Sequence, residues 1–305
     1  MTIPTPYDCH TDEAARIRER LANLAAEREE LETRLAEIGA KAPIESDSGP
    51  SEMAVTDRSP PSDKIGLFRS LFCGRVDVYP KRWENVRTGK AGYAPVCANE
   101  WKPRLCGKPR VKCSECPNQA FLTVTDEAIE AHLRGRETLG VYPMSPDGNC
   151  RFVAADFDKA TWRTDAAAFV AACRSKGVPA GLEHSRSGDG GHVWIFFAEP
   201  VPALLARRLA SHLLTEAMES APDIGFKSYD RLFPSQDNLP EGGFGSLIAL
   251  PLQGGPRKVG NTVFLDDSFA PLEDQWAFLS SLRRLASAEA AARRCRNCSK
   301  SLAST

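Results

Sequence analysis

The chain has 305 residues, of which 42% are hydrophobic and 26% charged, and a formal net charge of −1. That length supports one large or two small domains with a sizeable core. No run of about eighteen apolar residues occurs and no basic-then-apolar leader opens the chain, so the sequence predicts a cytoplasmic protein with no membrane partner. Near-neutral net charge leaves nucleic-acid binding to be decided by the local distribution of cations.

Residues 12–38 place Ile17, Leu21, Leu24, Leu31, Leu35 and Ile38 at alternating four- and three-residue steps, with Arg28 at one seam position. The spacing predicts a coiled-coil-like helix, packed on this chain or on a partner subunit. Residues 39–63 are rich in Pro, Ser, Asp and Gly and read as a flexible linker, so the main domain is expected over 64–285 with a tail at 286–305. Ile65 to Phe72 is a short apolar helix or strand. The stretch from Gly74 through Lys81, Arg82, Trp83, Arg87, Lys90 and Tyr93 mixes cations with aromatics. It is either an ordinary exposed loop or a contact for a phosphate backbone and stacked bases.

Ten cysteines are many for a cytosolic chain, where clustered thiols bind metal more often than they pair. Four fall within 97–116: Cys97, Cys106, Cys113 and Cys116, the last two spaced C-x2-C. Four thiolates in a loop-rich stretch suit one closed structural zinc site. Trp101, Lys102, Arg104, Lys108, Arg110 and Lys112 lie between the thiols, so this zinc knuckle is also a candidate nucleic-acid contact.

Thr125 is an N-cap candidate for a helix to Leu133, with His132 as a surface or packing residue. Leu139 to Tyr142, the turn Ser145-Pro146-Asp147-Gly148, and Phe152 to Phe157 are expected to form a hairpin. In that second strand, period-two alternation puts Asp156 and Asp158 on one face, where two carboxylates aimed at one point make a divalent-cation site. A helix from Asp165 to Ser175 and another strand then lead into Ser185-Arg186-Ser187-Gly188-Asp189-Gly190-Gly191-His192. Gly188 and Gly190 allow close approach of backbone N–H groups, Ser185 and Ser187 donate, and His192 adds a donor at the start of the strand Val193 to Phe197. This is a phosphate cradle, and an acid pair beside it points to metal-assisted phosphoryl transfer. Val201 to Met218 reads as an amphipathic helix with His212 structural. Residues 226–237 hold a third acidic segment, in which the sequence alone allows Asp230 or Asp237. A strand from Ser246 to Leu250 precedes a Gly-Gly-Pro-Arg-Lys turn, Gln275 to Arg294 is a further helix, and Cys295 with Cys298 is half a zinc site at most. No G-x4-G-K-[ST] occurs, so unwinding falls to a partner.

An hhhDhD strand, an S-x-H element in a glycine loop and a third acidic strand, in this order, resemble the archaeo-eukaryotic primase superfamily. The segment Cys97-Ala-Asn-Glu-Trp101 through Cys106, Lys108-Pro-Arg-Val-Lys112, Cys113-Ser-Glu-Cys116 and Asn118 resembles most closely the primase–polymerase domain of TOTE conflict systems. The resemblance implies an α+β fold, an RRM-like palm over about 139–270 preceded by the knuckle, with the N-terminal helix outside it. It selects Asp230 as third acid and implies that Asp156, Asp158 and Asp230 hold two Mg²⁺ or Mn²⁺ ions. It further implies that Arg257 and Lys258 help hold the triphosphate with Ser185, Ser187, Gly188, Gly190 and His192. The activity implied is template-directed nucleotidyl transfer from NTP or dNTP on single-stranded DNA or RNA, in a mobile-element or defence setting with helicase and nuclease partners. The competing classes are a zinc phosphoesterase, which would want more than five histidines, and a non-catalytic zinc-dependent module that binds single-stranded nucleic acid.

Overall fold

The computed structural model describes residues 16, 18–24, 26–27, 30, 54–239 and 241–293. The chain divides into two units, Met1–Met53 and Ala54–Thr305. The described residues of the first are helical, with Leu21 and Leu24 exposed. Ile17, Arg28, Leu31, Leu35 and Ile38 of the expected stripe lie outside the described residues, as do Cys295 and Cys298.

The centre of the second unit is a four-stranded antiparallel sheet. Its elements are β4 (Asn149–Asp158), α3 (Trp162–Ser175), β5 (Gly181–His184), β6 (Gly190–Pro202), α4 (Ala203–Ser220) and β7 (Tyr229–Phe233), with strand order β5-β6-β4-β7. This is a β-α-β-β-α-β unit with the second half of the motif interleaved between strands of the first.

Strand alternation explains how the sheet divides its two faces. Val153, Ala155 and Phe157 of β4 and Val193, Ile195 and Phe197 of β6 share one core with Phe169 of α3 and with Leu209, Leu213 and Ala217 of α4, which recur at helical spacing. Phe152 and Ala154 with Trp194 and Phe196 point the other way, into a second core. That core is closed by α1 (Pro61–Leu71) through Phe68 and Leu71, by β3 (Gly140–Val141), by β8 (Ile248–Ala249) and by α5 (Gln275–Ser281) through Trp276. Each buried phenylalanine on these faces stabilises the fold by roughly 3–5 kcal/mol against truncation to alanine. The second face is covered only along part of its length. Beyond Ala154 and Trp194, the same alternation presents Asp156, Asp158 and His192.

Several expectations are corrected. Residues 54–63, expected to be linker, are packed: Val55 N donates to Ser280 Oγ (3.0 Å), Asp57 N to Asp274 Oδ2 (2.9 Å), and α1 begins at Pro61. Val55 is thereby held to the last residues of α5 across most of the unit. The strand at Gly140–Val141 does not form a hairpin with β4 but pairs with β8, while β4 pairs with β6 and β7. The hairpin signal arose from the Ser145–Asn149 turn, which is present but serves only the bridge Met144–Cys150. The stretch around Trp83 is no irregular loop: β1 (Pro80–Asn85) and β2 (Lys90–Pro95) form a two-stranded hairpin. The helix expected over 275–294 is broken. Leu285 N donates to Phe196 O and Ala198 N to Leu285 O, so residue 285 joins the sheet edge before α6 (Ser287–Arg293) begins. With Leu285 and Ala290 buried in the first core, α6 packs on the domain through Ala290 and residues 286–293 are not a tail. α2 (Asp126–Leu133) is capped as expected, with Ala128 N donating to Thr125 Oγ1. His132 is fully buried between Leu139 N and Pro251 O, and its pKa falls to about 4 because burial penalises the imidazolium.

Candidate active site

Asp156 and Asp158 sit at the end of β4 and Asp230 on β7, each offering an oxygen within 4.8 Å of the others. Among the described residues no other group of three acidic, histidine or cysteine ligands is gathered so closely. A backbone irregularity makes this convergence. β7 pairs Arg231 with Asp156 and Tyr229 with Phe157, so Asp230 is the extra residue of a bulge. In a regular ladder Asp230 would oppose Phe157 and face the helices. The bulge re-aims it to the side that carries Asp156. Asp237, the alternative third acid, is instead paired with Arg207 of α4.

Asp156 is 9% exposed and its Oδ1 is buried with no hydrogen-bond partner. Burial foremost, with the repulsion of Asp158 and Asp230, pushes its carboxyl up to about 6, against the pull of His192. A buried carboxylate oxygen left without a donor, facing two more carboxylates, is a site whose charge wants a cation. The three residues therefore fit one or more hard divalent ions, which take oxygen ligands.

His192 lies opposite Asp156 in the β4–β6 register. Its Nδ1 is 2.8 Å from Glu183 Oε2, and the same oxygen accepts from Trp194 Nε1 at 2.9 Å. Glu183 is 1% exposed and pairs with His192 across β5–β6. Burial opposes charge on His192, but Glu183, Asp156 and Asp158 outweigh it and raise its pKa to about 9. Nδ1 is committed to Glu183, while Nε2 faces Asp156 Oδ1 at 3.5 Å with no hydrogen bond between them. Sequence reading missed Glu183 and Trp194. The available signal was a lone glutamate in the apolar strand Gly-Leu-Glu-His.

The loop from Ser185 to Asp189 joins β5 to β6. Ser185 N donates to Gly190 O, the Ser185 and Ser187 hydroxyls are 3.1 Å apart, and Gly188 turns at φ +85°. Gly190 faces Asp158 in the register, and a Cβ there would stand 2.5 Å from the carboxylate oxygen Oδ1 and from Phe157 O. Only glycine lets the acid and the loop approach so closely. Arg257 and Lys258 are exposed on a 3₁₀ turn, Pro256–Val259. The residues that follow bind the loop: Gly260 O lies 2.8 Å from His184 Nδ1, and Asn261 Nδ2 donates to Arg186 O at 3.2 Å. The structure therefore brings the turn beside the glycine loop, through His184 and Asn261, which sequence reading also missed.

Cys97, Cys106, Cys113 and Cys116 are half-buried free thiols lining one cavity of about 20 Å³. No three of their sulfurs share the 4.8 Å spacing of the aspartates. Asn118 Nδ2 to Leu105 O and Gln119 Nε2 to Cys113 O hold the segment together, and Lys108 lies over Trp101, 5.8 Å from the ring. No helix among the described residues is long and apolar enough to cross a membrane.

In comparisons with known proteins, no curated protein matches the chain. Among solved structures it is similar to the polymerase domain of Mycobacterium tuberculosis ligase D in complex with DNA, at 17% identity and a TM-score of 0.39, covering 78% of this chain and 86% of that one. The family described as TOTE conflict system, Archaeo-Eukaryotic Primase domain, matches residues 63–292. That span takes in the cysteine segment, all three aspartates and the glycine loop, and the chain belongs to this primase family, whose members are nucleotidyltransferases.

Proposed function

We propose that the chain is a template-directed primase–polymerase, adding nucleotides from NTP or dNTP against single-stranded DNA or RNA, within a conflict system that supplies helicase and nuclease activities on partners. The observation that carries the reading is the convergence of Asp156, Asp158 and Asp230 around a buried oxygen that lacks a donor. Two Mg²⁺ or Mn²⁺ ions held there would supply activation of a 3′-hydroxyl and neutralisation of the pyrophosphate leaving group. The chain's own residues do the rest. His192, fixed by Glu183, directs Nε2–H at the space above Asp156, where it donates to a phosphate oxygen and acts electrostatically. Ser185, Ser187, Gly188 and Gly190 present hydroxyl and backbone donors along the same loop, and Arg257 and Lys258 add positive charge from the adjoining turn.

In the same reading the four cysteines hold one structural zinc ion. Their shared cavity and free thiols support this.

Primer extension by Asp156→Ala with Asp158→Ala tests the proposal: extension falls to background while oligonucleotide binding is retained. A double variant that still extends primers refutes it. The rival reading, a zinc-dependent module that only binds single strands, predicts no extension by the wild type either.

A further inference from the structure

We infer that the single-stranded polynucleotide leaves the acidic face across the groove between the β1–β2 hairpin and residues 135–138, with Trp83 as a base-stacking platform. This rests on the nucleotidyl-transfer reading and adds the route of the strand.

The groove has a volume of about 390 Å³ and is walled by Lys81, Arg82, Arg136 and Thr138. Its two acids are engaged within it, Glu137 on Lys81 at 3.3 Å and Glu84 on Arg82. Around it, Arg87, Lys90, Arg136, Arg257 and Lys258 are exposed and make no ion pair among the described residues. A chain with a net charge of −1 therefore gathers unpaired cations here.

The hairpin register opposes Trp83 to Gly92 and Asn85 to Lys90, so alternation puts Lys81, Trp83 and Lys90 on one face. A Cβ at Gly92 would lie 3.1 Å from the indole, which rests on the bare strand and is still 45% exposed. A supported, exposed indole among separated cations suits a strand with unpaired bases and spaced phosphates, since every base has a face to stack.

The wall of the groove is linked to the site through the backbone. Gly135 packs on the Gly254–Gly255 backbone so closely that a Cβ would stand 2.8 Å from Gly255 N. From there the Arg257–Lys258 turn leads to Gly260 and Asn261, which bind the loop carrying Ser185 and Ser187.

The test is fluorescence anisotropy of the full chain, without nucleotide, on labelled oligothymidylate and oligouridylate of about 20 nucleotides, the two arms telling DNA from RNA preference. Trp83→Ala should weaken binding about tenfold, whereas Trp83→Phe, which keeps a stacking face over Gly92, should stay within about threefold of wild type. Arg87→Glu with Arg136→Glu should weaken binding and flatten its log–log dependence on salt by about 0.7 for each phosphate no longer neutralised. Should Trp83→Ala prove misfolded by thermal melting, the two charge reversals carry the test alone. Wild-type binding matched by every folded variant overturns the route and leaves the nucleotidyl-transfer reading standing. A wild type that binds neither oligonucleotide overturns both.

Discussion

The two clusters of candidate ligands in this chain are built in opposite ways. The aspartates sit on strands whose register is set by long apolar runs, and their oxygens converge within 4.8 Å of one another. The cysteines sit on loop backbone, with Cys97 at an isolated bridge to Phe121 and Cys113 opening the 3₁₀ turn Cys113–Glu115, and they line a cavity with no three sulfurs at the spacing of the aspartates. A sheet pays for convergence with packing energy from elsewhere in the core, whereas a loop cluster must take it from its ion. Removing the metal should therefore silence the first site and unfold the second.

The largest effect that sharpens this contrast after loss of the aspartates is His192→Ala. It removes one donor from a rigid site, so kcat should fall about a hundredfold and the nucleotide KM rise, with Mn²⁺ affinity retained. Steady-state extension with titrated nucleotide reads the split. A variant indistinguishable from wild type would make the glycine loop only a turn. Next is Cys113→Ser with Cys116→Ser. Elemental analysis should find one zinc per chain in the wild type and none in the variant. Limited proteolysis should then cut within 97–119, while the main melting transition, set by the sheet and its two cores, moves little. Loss of the whole fold with the zinc would erase the contrast.

How much of this was legible beforehand follows the same division. Asp156, Asp158 and the glycine loop could be read because their relation is local: strand alternation and turn chemistry act over a few residues. Asp230 could be reached only through family resemblance, because the bulge that turns it toward Asp156 depends on the pairing of β7 with β4, about seventy residues apart. The false hairpin at Leu139 and the break at Leu285 have the same origin. In both, a long-range partner, β8 or β6, outcompeted the local signal. Glu183 escaped notice because its meaning lies in His192 and Trp194 on the neighbouring strand.

The smallest effect concerns stability. His132 ties α2 to β3 and to Pro251 as a neutral imidazole, Nε2–H donating to Pro251 O and Nδ1 accepting from Leu139 N. With its pKa at about 4 in the fold and near 6.5 when unfolded, the unfolded chain takes up the proton first as pH falls. The stability it contributes is complete above pH 6.5 and is lost on the way to pH 4, about 2 kcal/mol of it by pH 5. Asp156 acts oppositely in the same window: its raised pKa costs stability as pH climbs from about 4 to about 6. Urea unfolding of wild type and His132→Phe at pH 7.5 and 5 separates the two. The variant should be less stable at pH 7.5 and should lose less on acidification.

The central claim is that a bulged strand delivers the third carboxylate to a cation site built by β4. The direct measurement is primer extension by Asp230→Ala beside Asp237→Ala, each with Mn²⁺ binding followed by titration calorimetry. The account predicts that Asp230→Ala loses extension to background with weakened Mn²⁺ binding, and that Asp237→Ala, which breaks only the pair with Arg207, keeps both. Wild-type extension by Asp230→Ala would contradict it.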